Sequence, residues 1–453
     1  MSKANLTGRA DPGTPGDRET NVFVIGLDEE NARVLERLSW AGTYRFHEVL
    51  SPGQLRHGDI GDLMYKARSI LDGFDGEIDA IVTYGGFPAP SMVSMLCREY
   101  GLPSVSLEAV LKCEHKYWSR LEQREVIDEL PNFGIVDLDR EKPEPPPGIG
   151  FPMWLKPVKP FSAELVCEVD GREEFDRAVR EFREGAGRAG DSFDYVLNQV
   201  ELPAKIADAG GEACLAEEAL HGVRAVVEGY VHNGEVVIYG ALDSIGYEDS
   251  SSVLRHQYPS RLPEDSVRRM QEIAEAVMGR IGYDNATFSI EFFCHPVSGQ
   301  VCLLAVDPRH AQSHAGLFEL VDGVASHEIM VRLGLGENPR WHRRRGRYEI
   351  AGKWYLRRFS DAVVTRVPTR GELATIQNRV PGTRIEIVPA EGRRLSDLPQ
   401  RDGHSFELAQ LFVAASTEEE MCRKYDRCVD ALRFGFAGPG EEPFPQPAPR
   451  GAA

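Results

Sequence analysis

Strand-like and helical patterns alternate in the first part of the chain. Strands are predicted over 22–26, 44–50 and 78–84, and a helix over 91–100. This alternation is typical of a parallel sheet with helices on both faces, because parallel strands need a crossover between them. At the end of the third strand, Gly85-Gly86 either let a ligand approach the backbone closely or simply end the strand.

A different pattern follows the proline-rich connector 137–150. Asn233-Gly234 separates two apolar segments and predicts a short hairpin, since both residues tolerate positive φ. Thr417 and Glu420 predict a capping box at the start of a last helix. The region combines paired strands with amphipathic helices: strands at 153–156, 163–169, 223–231, 235–242 and 384–388, and helices at 173–183 and 263–281. The whole pattern predicts a mixed α/β (α+β) protein.

Composition excludes several classes of protein. The formal charge of −19 argues against sequence-independent binding to nucleic acid or to anionic membranes, which needs a cationic surface. The eight cysteines form no CxxC pair, so a zinc site is not predicted and reduced thiols are expected. The first residues have no apolar core typical of a signal peptide, and no segment is apolar over about 18 residues. We therefore expect a cytoplasmic protein without a membrane span.

The segment 288–309 holds the densest candidate chemistry. Two apolar runs flank 295–300, which predicts an antiparallel hairpin. If the turn centres near Ser298, Ala305 lies opposite Glu291 and Asp307 lies diagonally from it. Strict alternation puts Ser289, Glu291 and Phe293 on one face of the first strand. It also puts Leu303, Ala305 and Asp307 on one face of the second strand.

Glu291 and Asp307 are costly on an apolar hairpin unless they are paired or bind a metal. Their oxygen ligands suit Mg²⁺ that also touches phosphate oxygens. Arg309, just beyond the strand, is placed to hold an anionic substrate or a developing phosphoryl charge. The alternatives are a buried ion pair between Asp307 and Arg309, or an exposed strand end.

The second strand, LLAVDPR at 303–309, resembles the metal signature LLEVNPR of the ATP-grasp superfamily. Four more segments resemble motifs of this family in the family's order: the lysine-bearing segment 101–120, the strand 150–157, the hinge 215–222 and the helix 318–339. The resemblance spans roughly 22–436. It implies a Rossmann-like domain, here without GxGxxG, followed by a two-lobed ATP-grasp fold with mixed sheets.

The resemblance also implies boundaries and roles. In this family, lysines hold the phosphates of ATP, a hinge reads the adenine, carboxylates hold Mg²⁺ (with Mn²⁺ as an alternative), and an arginine holds the reacting anion. The corresponding residues are Lys116 and Lys156 for phosphate, Glu217, Glu218 and Leu220 for adenine, Glu291 and Asp307 for the metal, and Arg309 for the reacting anion. The implied parts are a flexible tail 1–20, a Rossmann-like domain 21–112, a nucleotide- and metal-binding region 113–339, the C-terminal portion of the ATP-grasp fold 340–436, and a flexible tail 437–453.

The chain departs from the family pattern at three places. Ala305 replaces the second metal-binding glutamate, and Asp307 replaces the asparagine, so the number of anionic ligands stays at two. Arg224 replaces the carboxylate that usually binds ribose. The loop 158–163 contains no glycine, so the grip on phosphate is expected to depend on Lys156 and Lys159.

The family's chemistry implies an ATP-dependent carboxylate–amine ligase that acts on small-molecule substrates. Biotin-carboxylase-like carboxylation and an ATP-binding regulatory protein without catalysis are the alternatives, and a homodimer is an open alternative because dimers are common in the family. His310 and His314 have helical i, i+4 spacing, which suits a metal or acid–base role as well as a lining or packing role.

Overall fold

The computed structural model describes residues 19–437 apart from 39–40, 160–165, 186–189, 249, 251, 342 and 399–404. The described residues form four sheets. The predicted tails fall almost entirely outside the described residues, as does the start of the strand predicted at 163–169. None of the helices in the described ranges has the length and apolar character needed to cross a bilayer.

The first sheet has three parallel strands in the order β2-β1-β3, as the alternating pattern predicts. Its third strand is shorter than predicted. The Thr83 hydroxyl donates to the Ile25 carbonyl and accepts from the Gly85 N–H. Hydrogen bonds of this side chain therefore replace backbone pairing with β1 just after Val82. The elements are β1 Thr20–Ile25, α1 Glu29–Glu36, β2 Tyr44–Val49, α2 Pro52–His57, α3 Ile60–Asp72, β3 Ala80–Val82 and α4 Ala89–Tyr100.

A four-stranded antiparallel sheet follows, in the order β4-β7-β5-β6. Phe175, Val179 and Phe182 of its long helix form a core with Met153 and Leu155 of the sheet. The elements are α5 Leu107–Glu114, α6 Lys116–Arg124, β4 Phe133–Val136, β5 Met153–Pro157, β6 Cys167–Val169, α7 Arg172–Gly185, α8 Gly190–Leu197, α9 Ala204–Ala209 and β7 Cys214–Glu218.

The largest sheet has eight antiparallel strands in the order β12-β11-β8-β9-β10-β13-β16-β15, and β14 pairs with β17 apart from it. The elements are β8 Val223–His232, β9 Glu235–Gly246, β10 Val253–Tyr258, α10 Glu264–Ile281, β11 Ala286–Cys294, β12 Val301–Asp307, α11 Ala315–Asp322, α12 His327–Gly334, β13 Ile350–Arg358, β14 Val363–Arg366, α13 Arg370–Arg379, β15 Thr383–Ile387, β16 Phe406–Ala415, α14 Glu418–Ala431 and β17 Gly435–Ala437.

Helices cover the large sheet on both faces. Ile273 of α10 packs in a core with Val227, whereas Phe318 of α11 packs in a core with Val226. Successive residues of a strand point to opposite faces, so the two helices lie on opposite sides. The helix predicted at 263–281 and the hairpin at 223–242 are confirmed, with Asn233 (φ 53°) and Gly234 (φ 77°) in the turn.

Helices from later in the chain complete the core of the first sheet. Met330 of α12 packs with Val24 and Val82, and Phe193 of α8 packs in the core that contains Ile25 and Ile81. The first sheet is therefore held between elements that follow it in the sequence.

The hairpin β11–β12 shows the predicted pairing near the site and a bulge beyond it. Glu291 pairs with Ala305, but Phe292 pairs with Leu303 and Leu304 is left unpaired. Leu303 therefore lies on the opposite face, fully buried with Phe292. The prediction that Leu303 shares a face with Ala305 is wrong, because a bulge breaks the period of two.

The last helix begins with half of the predicted capping box. The Thr417 hydroxyl accepts from the Glu420 N–H. The Glu420 carboxylate accepts from the N–H of Ser416 rather than from that of Thr417. The inner face of the helix is as predicted, since Met421, Tyr425, Cys428 and Leu432 are buried.

Gly334 marks the tight contact between α12 and the first sheet. An added Cβ would lie 2.4 Å from Val82 Cγ1, so Gly334→Ala is expected to lower the free energy of unfolding by about 1–3 kcal/mol. Gly279→Ala in α10 is the matched control. Its Cβ would meet no atom within 4 Å, and we expect a gain of about 0.5–1 kcal/mol. Urea unfolding measures both, and equal effects would contradict the close contact.

Candidate active site

Cross-strand pairing lays out one wall of the candidate site on the eight-stranded sheet. Asp307 pairs with Ser289, and Glu291 lies on the same face two residues along. After two more residues, Phe293 pairs with Arg224 of β8. Because same-face neighbours on a strand lie roughly 7 Å apart, Asp307, Glu291 and Arg224 follow one another along this wall.

Lys116 and Lys156 come from the opposite wall, where α6 meets the four-stranded sheet. The N–H of Lys116 donates to the Val158 carbonyl over 2.8 Å, which ties the start of α6 to the end of β5. Lys156 lies on β5 and is 8% exposed. The family-like segments 101–120 and 150–157 thus bring two lysines together from distant parts of the sequence.

Glu217 lies on β7 of the four-stranded sheet and pairs with two cationic side chains. The residue is 3% exposed, and its carboxylate pairs with Lys156 and lies 2.8 Å from Arg120 Nε. Burial opposes ionisation, but the charges of Arg120 and Lys156 lower the pKa of Glu217 to about 2. Burial lowers the pKa of Lys156, and Glu217 partly offsets that effect.

Arg120 connects the lysines to the hairpin. Its guanidinium donates to the carbonyls of Leu303 (3.0 Å) and Leu304 (2.7 Å). The bulge in β12 presents both carbonyls to the same side chain. The Arg120–Glu217 pair therefore fixes the four-stranded sheet against the strand that carries Ala305 and Asp307.

The walls enclose a cleft of about 750 Å³. All the predicted site residues except Asp307 line it. Asp307 lines an adjoining cavity of about 560 Å³, and Lys116, Glu291, Ala305 and Arg309 line both. The structure therefore brings the predicted residues to two cavities that meet at shared side chains. Their roles stay a prediction.

Arg309 forms an ion pair with Asp307, but not the buried pair that was left open as an alternative. Its Nη2 lies 3.0 Å from Asp307 Oδ2, and its Nη1 donates to the Tyr84 carbonyl at 3.3 Å. The pair is not sealed from solvent, because the side chains are 24% and 44% exposed. An added Cβ on Gly86 would lie 3.8 Å from this guanidinium, so the loop after β3 approaches the site closely.

The hinge residues differ in their surroundings. The Glu217 carboxylate pairs with Arg120 and Lys156. The Glu218 carboxylate is exposed and accepts hydrogen bonds from the backbone and side-chain amides of Asn132 at 3.3 and 3.0 Å. Leu220 lines the larger cleft. Any adenine contact is therefore expected from the backbone of this segment rather than from the Glu217 carboxylate.

Two buried carboxylates were not predicted: Glu114 lines the smaller cavity, and Glu228 bonds to His314, which lines it. Glu114 lies 3.4 Å from Lys159 Nζ, and burial raises its pKa. Glu228 is fully buried and bonds to His314 Nδ1 at 2.6 Å, and burial raises its pKa to about 8. The only sequence signal for Glu228 was a charge inside the apolar run of β8.

The two predicted metal ligands fit one divalent cation. Glu291 and Asp307 are carboxylates on the same face, and Ala305 between them offers no ligand. No set of three or more His, Cys, Asp and Glu residues able to hold a metal occurs in the described part of the chain. Two carboxylates suit Mg²⁺, which usually takes its remaining ligands from phosphate oxygens and water.

Part of this chain is similar to a known protein family. Residues 149–316 match the family model of the ATP-grasp domain. The chain carries an ATP-grasp domain. The matched range includes Lys156, the hinge and the hairpin with its metal-ligand candidates.

Solved structures share the fold of this chain, and a curated relative matches part of its sequence. An L-amino acid ligase from Bacillus licheniformis is 14% identical, with a TM-score of 0.69 over 93% of this chain and 100% of that one. The biotin carboxylase domain of Hydrogenobacter thermophilus 2-oxoglutarate carboxylase, crystallised with MgADP and bicarbonate, is 16% identical, with a TM-score of 0.62 over 92% and 91%. The carbamoyl phosphate synthase large chain of Kocuria rhizophila is 25% identical over 191 residues, which are 42% of this chain but only 15% of that relative.

The ATP affinity of the domain is expected to fall as pH rises above about 8. Burial and then the charge of Lys156 lower the pKa of Lys116 to about 8. Deprotonation above this pH removes a positive charge from the proposed phosphate site. In Lys116→Arg the guanidinium stays charged, so we expect the fall to move to higher pH. Calorimetric titration of ATP between pH 6 and 10 checks this, and identical profiles for the two proteins would contradict the role of Lys116.

Proposed function

We propose that this ATP-grasp protein is an ATP-dependent ligase that activates a carboxylate as an acyl phosphate for attack by an amine. The observation that carries the proposal is the meeting of the two cavities at Lys116, Glu291 and Arg309. A nucleotide in the larger cleft and a carboxylate in the smaller cavity would share these residues at the point of transfer.

The reaction has two steps. A carboxylate oxygen attacks the γ-phosphorus of ATP, and the bond to the bridging oxygen breaks to release ADP. The amine nitrogen then attacks the acyl carbon, inorganic phosphate leaves with the electron pair of its C–O bond, and the nitrogen loses a proton. The protein would contribute positioning and charge neutralisation.

Each predicted residue has a part in this proposal. Lys116 and Lys156 would bind phosphates, and the segment 217–220 would bind the adenine. Glu291 and Asp307 would hold Mg²⁺, which when bound supplies charge neutralisation at the phosphates. Arg309, between the cavities, would stabilise the charge that develops on the transferred group. The free cysteines suit a reducing compartment, and we propose a cytoplasmic location.

The two alternatives differ in what they need from the site. A biotin carboxylase would use bicarbonate as the acid, and solved biotin carboxylase structures share the fold of this chain. A regulatory protein would bind ATP without turnover, which is favoured by Ala305 at the metal position and by the Asp307–Arg309 pair. The ligase is preferred because two separate cavities meet at charged residues, which a nucleotide sensor does not need.

Isotope transfer tests the proposal directly. The protein is incubated with ATP, Mg²⁺ and a panel of amino acids with ¹⁸O-labelled carboxylates, and the phosphate released is analysed by mass spectrometry. An acyl-phosphate ligase transfers one ¹⁸O to phosphate. Release that requires bicarbonate and biotin instead supports the carboxylase. ATP binding without release across the panel supports the regulatory protein, and absence of ATP binding overturns all three.

A further inference from the structure

His314 lines the smaller cavity just before α11, and a buried carboxylate holds it there. Its ring Nδ1 lies 2.6 Å from Glu228 Oε1. The two residues are 3% and 0% exposed. An ionised carboxylate only accepts hydrogen bonds, so Nδ1–H donates to Glu228 and Nε2 keeps a lone pair. Nε2 is therefore the ring nitrogen left for a molecule in the cavity.

The Glu228 carboxylate is itself fixed by further donors. The Tyr239 hydroxyl donates to its Oε2 over 2.7 Å, and the Ala311 N–H donates to its Oε1 over 3.3 Å. A glutamine here could still accept hydrogen bonds from Ala311 and His314 without the cost of a buried charge. The carboxylate adds a property that an amide lacks, because its charge stabilises a protonated imidazole. The pair therefore suits an acid–base role better than a purely structural one.

The pair lies close to the proposed point of transfer. Glu228 pairs with Ser289 of β11, which pairs with Asp307 of β12. Directly paired residues point to the same face, and two strand spacings amount to about 10 Å. Asp307 contacts Arg309. A phosphoryl group at Arg309, an acyl carbon and an amine nitrogen can follow one another within this span, at contacts of about 3 Å each.

The protonation of the pair also suits a base. Burial raises the pKa of Glu228 to about 8, and burial, followed by the charges of Lys353 and Arg309, lowers that of His314 to about 3. Among the charges near Glu228, Arg309 lowers its pKa and Asp307 raises it. Between the two values the pair carries no net charge. Loss of one proton near pH 8 leaves the acceptor at Nε2, and a base that titrates near the working pH is both available and strong enough.

The neighbouring His256 lacks these features. It lines the same cavity, and its ring centre lies 4.5 Å from that of His314. Its Nδ1 has no hydrogen-bond partner among the described residues. Burial, followed by the charge of His314, lowers the pKa of His256 well below its usual value. No carboxylate in the described ranges pairs with it, so nothing strengthens this ring as a base.

We propose that His314 is the general base of the second step and that Glu228 is the residue that positions it. The inference rests on the proposed function, because it takes an acyl phosphate attacked by an amine as its starting point. The amine nitrogen bonds to the acyl carbon, the C–O bond breaks, and phosphate leaves with the electron pair. The proton lost by the nitrogen goes to His314 Nε2. Because ATP would occupy the larger cleft, the amine reaches the acyl carbon from the cavity that His314 lines.

Hydroxylamine separates the two steps. It is uncharged at neutral pH and captures acyl phosphates as hydroxamates without a base, so hydroxamate formation reports the first step, whereas amide formation needs both. His314→Asn keeps a nitrogen that can donate to Glu228 but lacks Nε2, and Glu228→Gln keeps the shape but not the charge. At saturating ATP, with the carboxylate identified by the ¹⁸O experiment, we expect amide formation to fall by about 10²-fold or more in His314→Asn and by about tenfold or more in Glu228→Gln. Hydroxamate formation should stay at the wild-type rate in both.

His47→Asn is the control. His47 of β2 bonds to Asn21 in the first sheet and lines neither of the two cavities, so both rates should match those of the wild type. Equal losses of amide and hydroxamate in His314→Asn and Glu228→Gln indicate a structural role and overturn the inference. So does amide formation at the wild-type rate in His314→Asn. A wild type that yields no hydroxamate with any carboxylate of the panel overturns the proposed function itself, and the inference with it.

Discussion

Glu217→Gln is expected to lower the free energy of unfolding by about 3–5 kcal/mol, because it leaves buried cations without their counter-charge. Lys156 and Arg120 both pair with this carboxylate, and Arg120 is 2% exposed. Urea unfolding followed by tryptophan fluorescence measures the change. The matched control is Glu218→Gln, for which we expect less than about 1 kcal/mol because the Glu218 carboxylate is exposed.

The same pair of proteins gives a pH test. The pKa of Glu217 is lowered from 4.5 to about 2 in the folded protein. Its contribution to stability is therefore complete above the unfolded pKa of 4.5 and is lost as pH falls through about 2. The difference in stability between wild type and Glu217→Gln should narrow over this window. A difference that stays constant with pH would contradict the ion-pair explanation.

Arg309→Met is expected to lower turnover by about 10²–10³-fold, the usual effect of removing one preorganised charge from a transition state. Arg309 lines both cavities, so we expect the loss mainly in kcat rather than in KM for ATP. Steady-state phosphate release measures this. Arg68→Met removes an arginine paired with Glu99 on the surface and should leave turnover unchanged.

A double variant distinguishes catalysis from charge compensation. If Arg309 only neutralises Asp307, which lies 3.0 Å away, then Asp307→Asn combined with Arg309→Met should restore turnover to the level of Asp307→Asn alone. If Arg309 stabilises the transferred group, the double variant should remain at least as slow as Arg309→Met. Restored turnover would refute the assigned role.

Much of the local structure followed from short-range patterns. The alternation before Tyr100 predicted three parallel strands, and Asn233-Gly234 predicted a hairpin, because periodicity and turn chemistry act over a few residues. The face of Leu303 was predicted wrongly. One extra residue in β12 reverses the alternation, and only the pairing with Phe292 reveals it.

The sequence by itself determined the ATP-grasp type, the order of its motifs and the identity of the charged residues that resemble the family's site. The tertiary structure decided which of those charges neutralise each other. Glu217 pairs with Lys156 and Arg120, and Asp307 pairs with Arg309. The physical reason is that the energy of a charge depends on its burial and on neighbours that are distant in the chain. No spacing in the sequence encodes those distances.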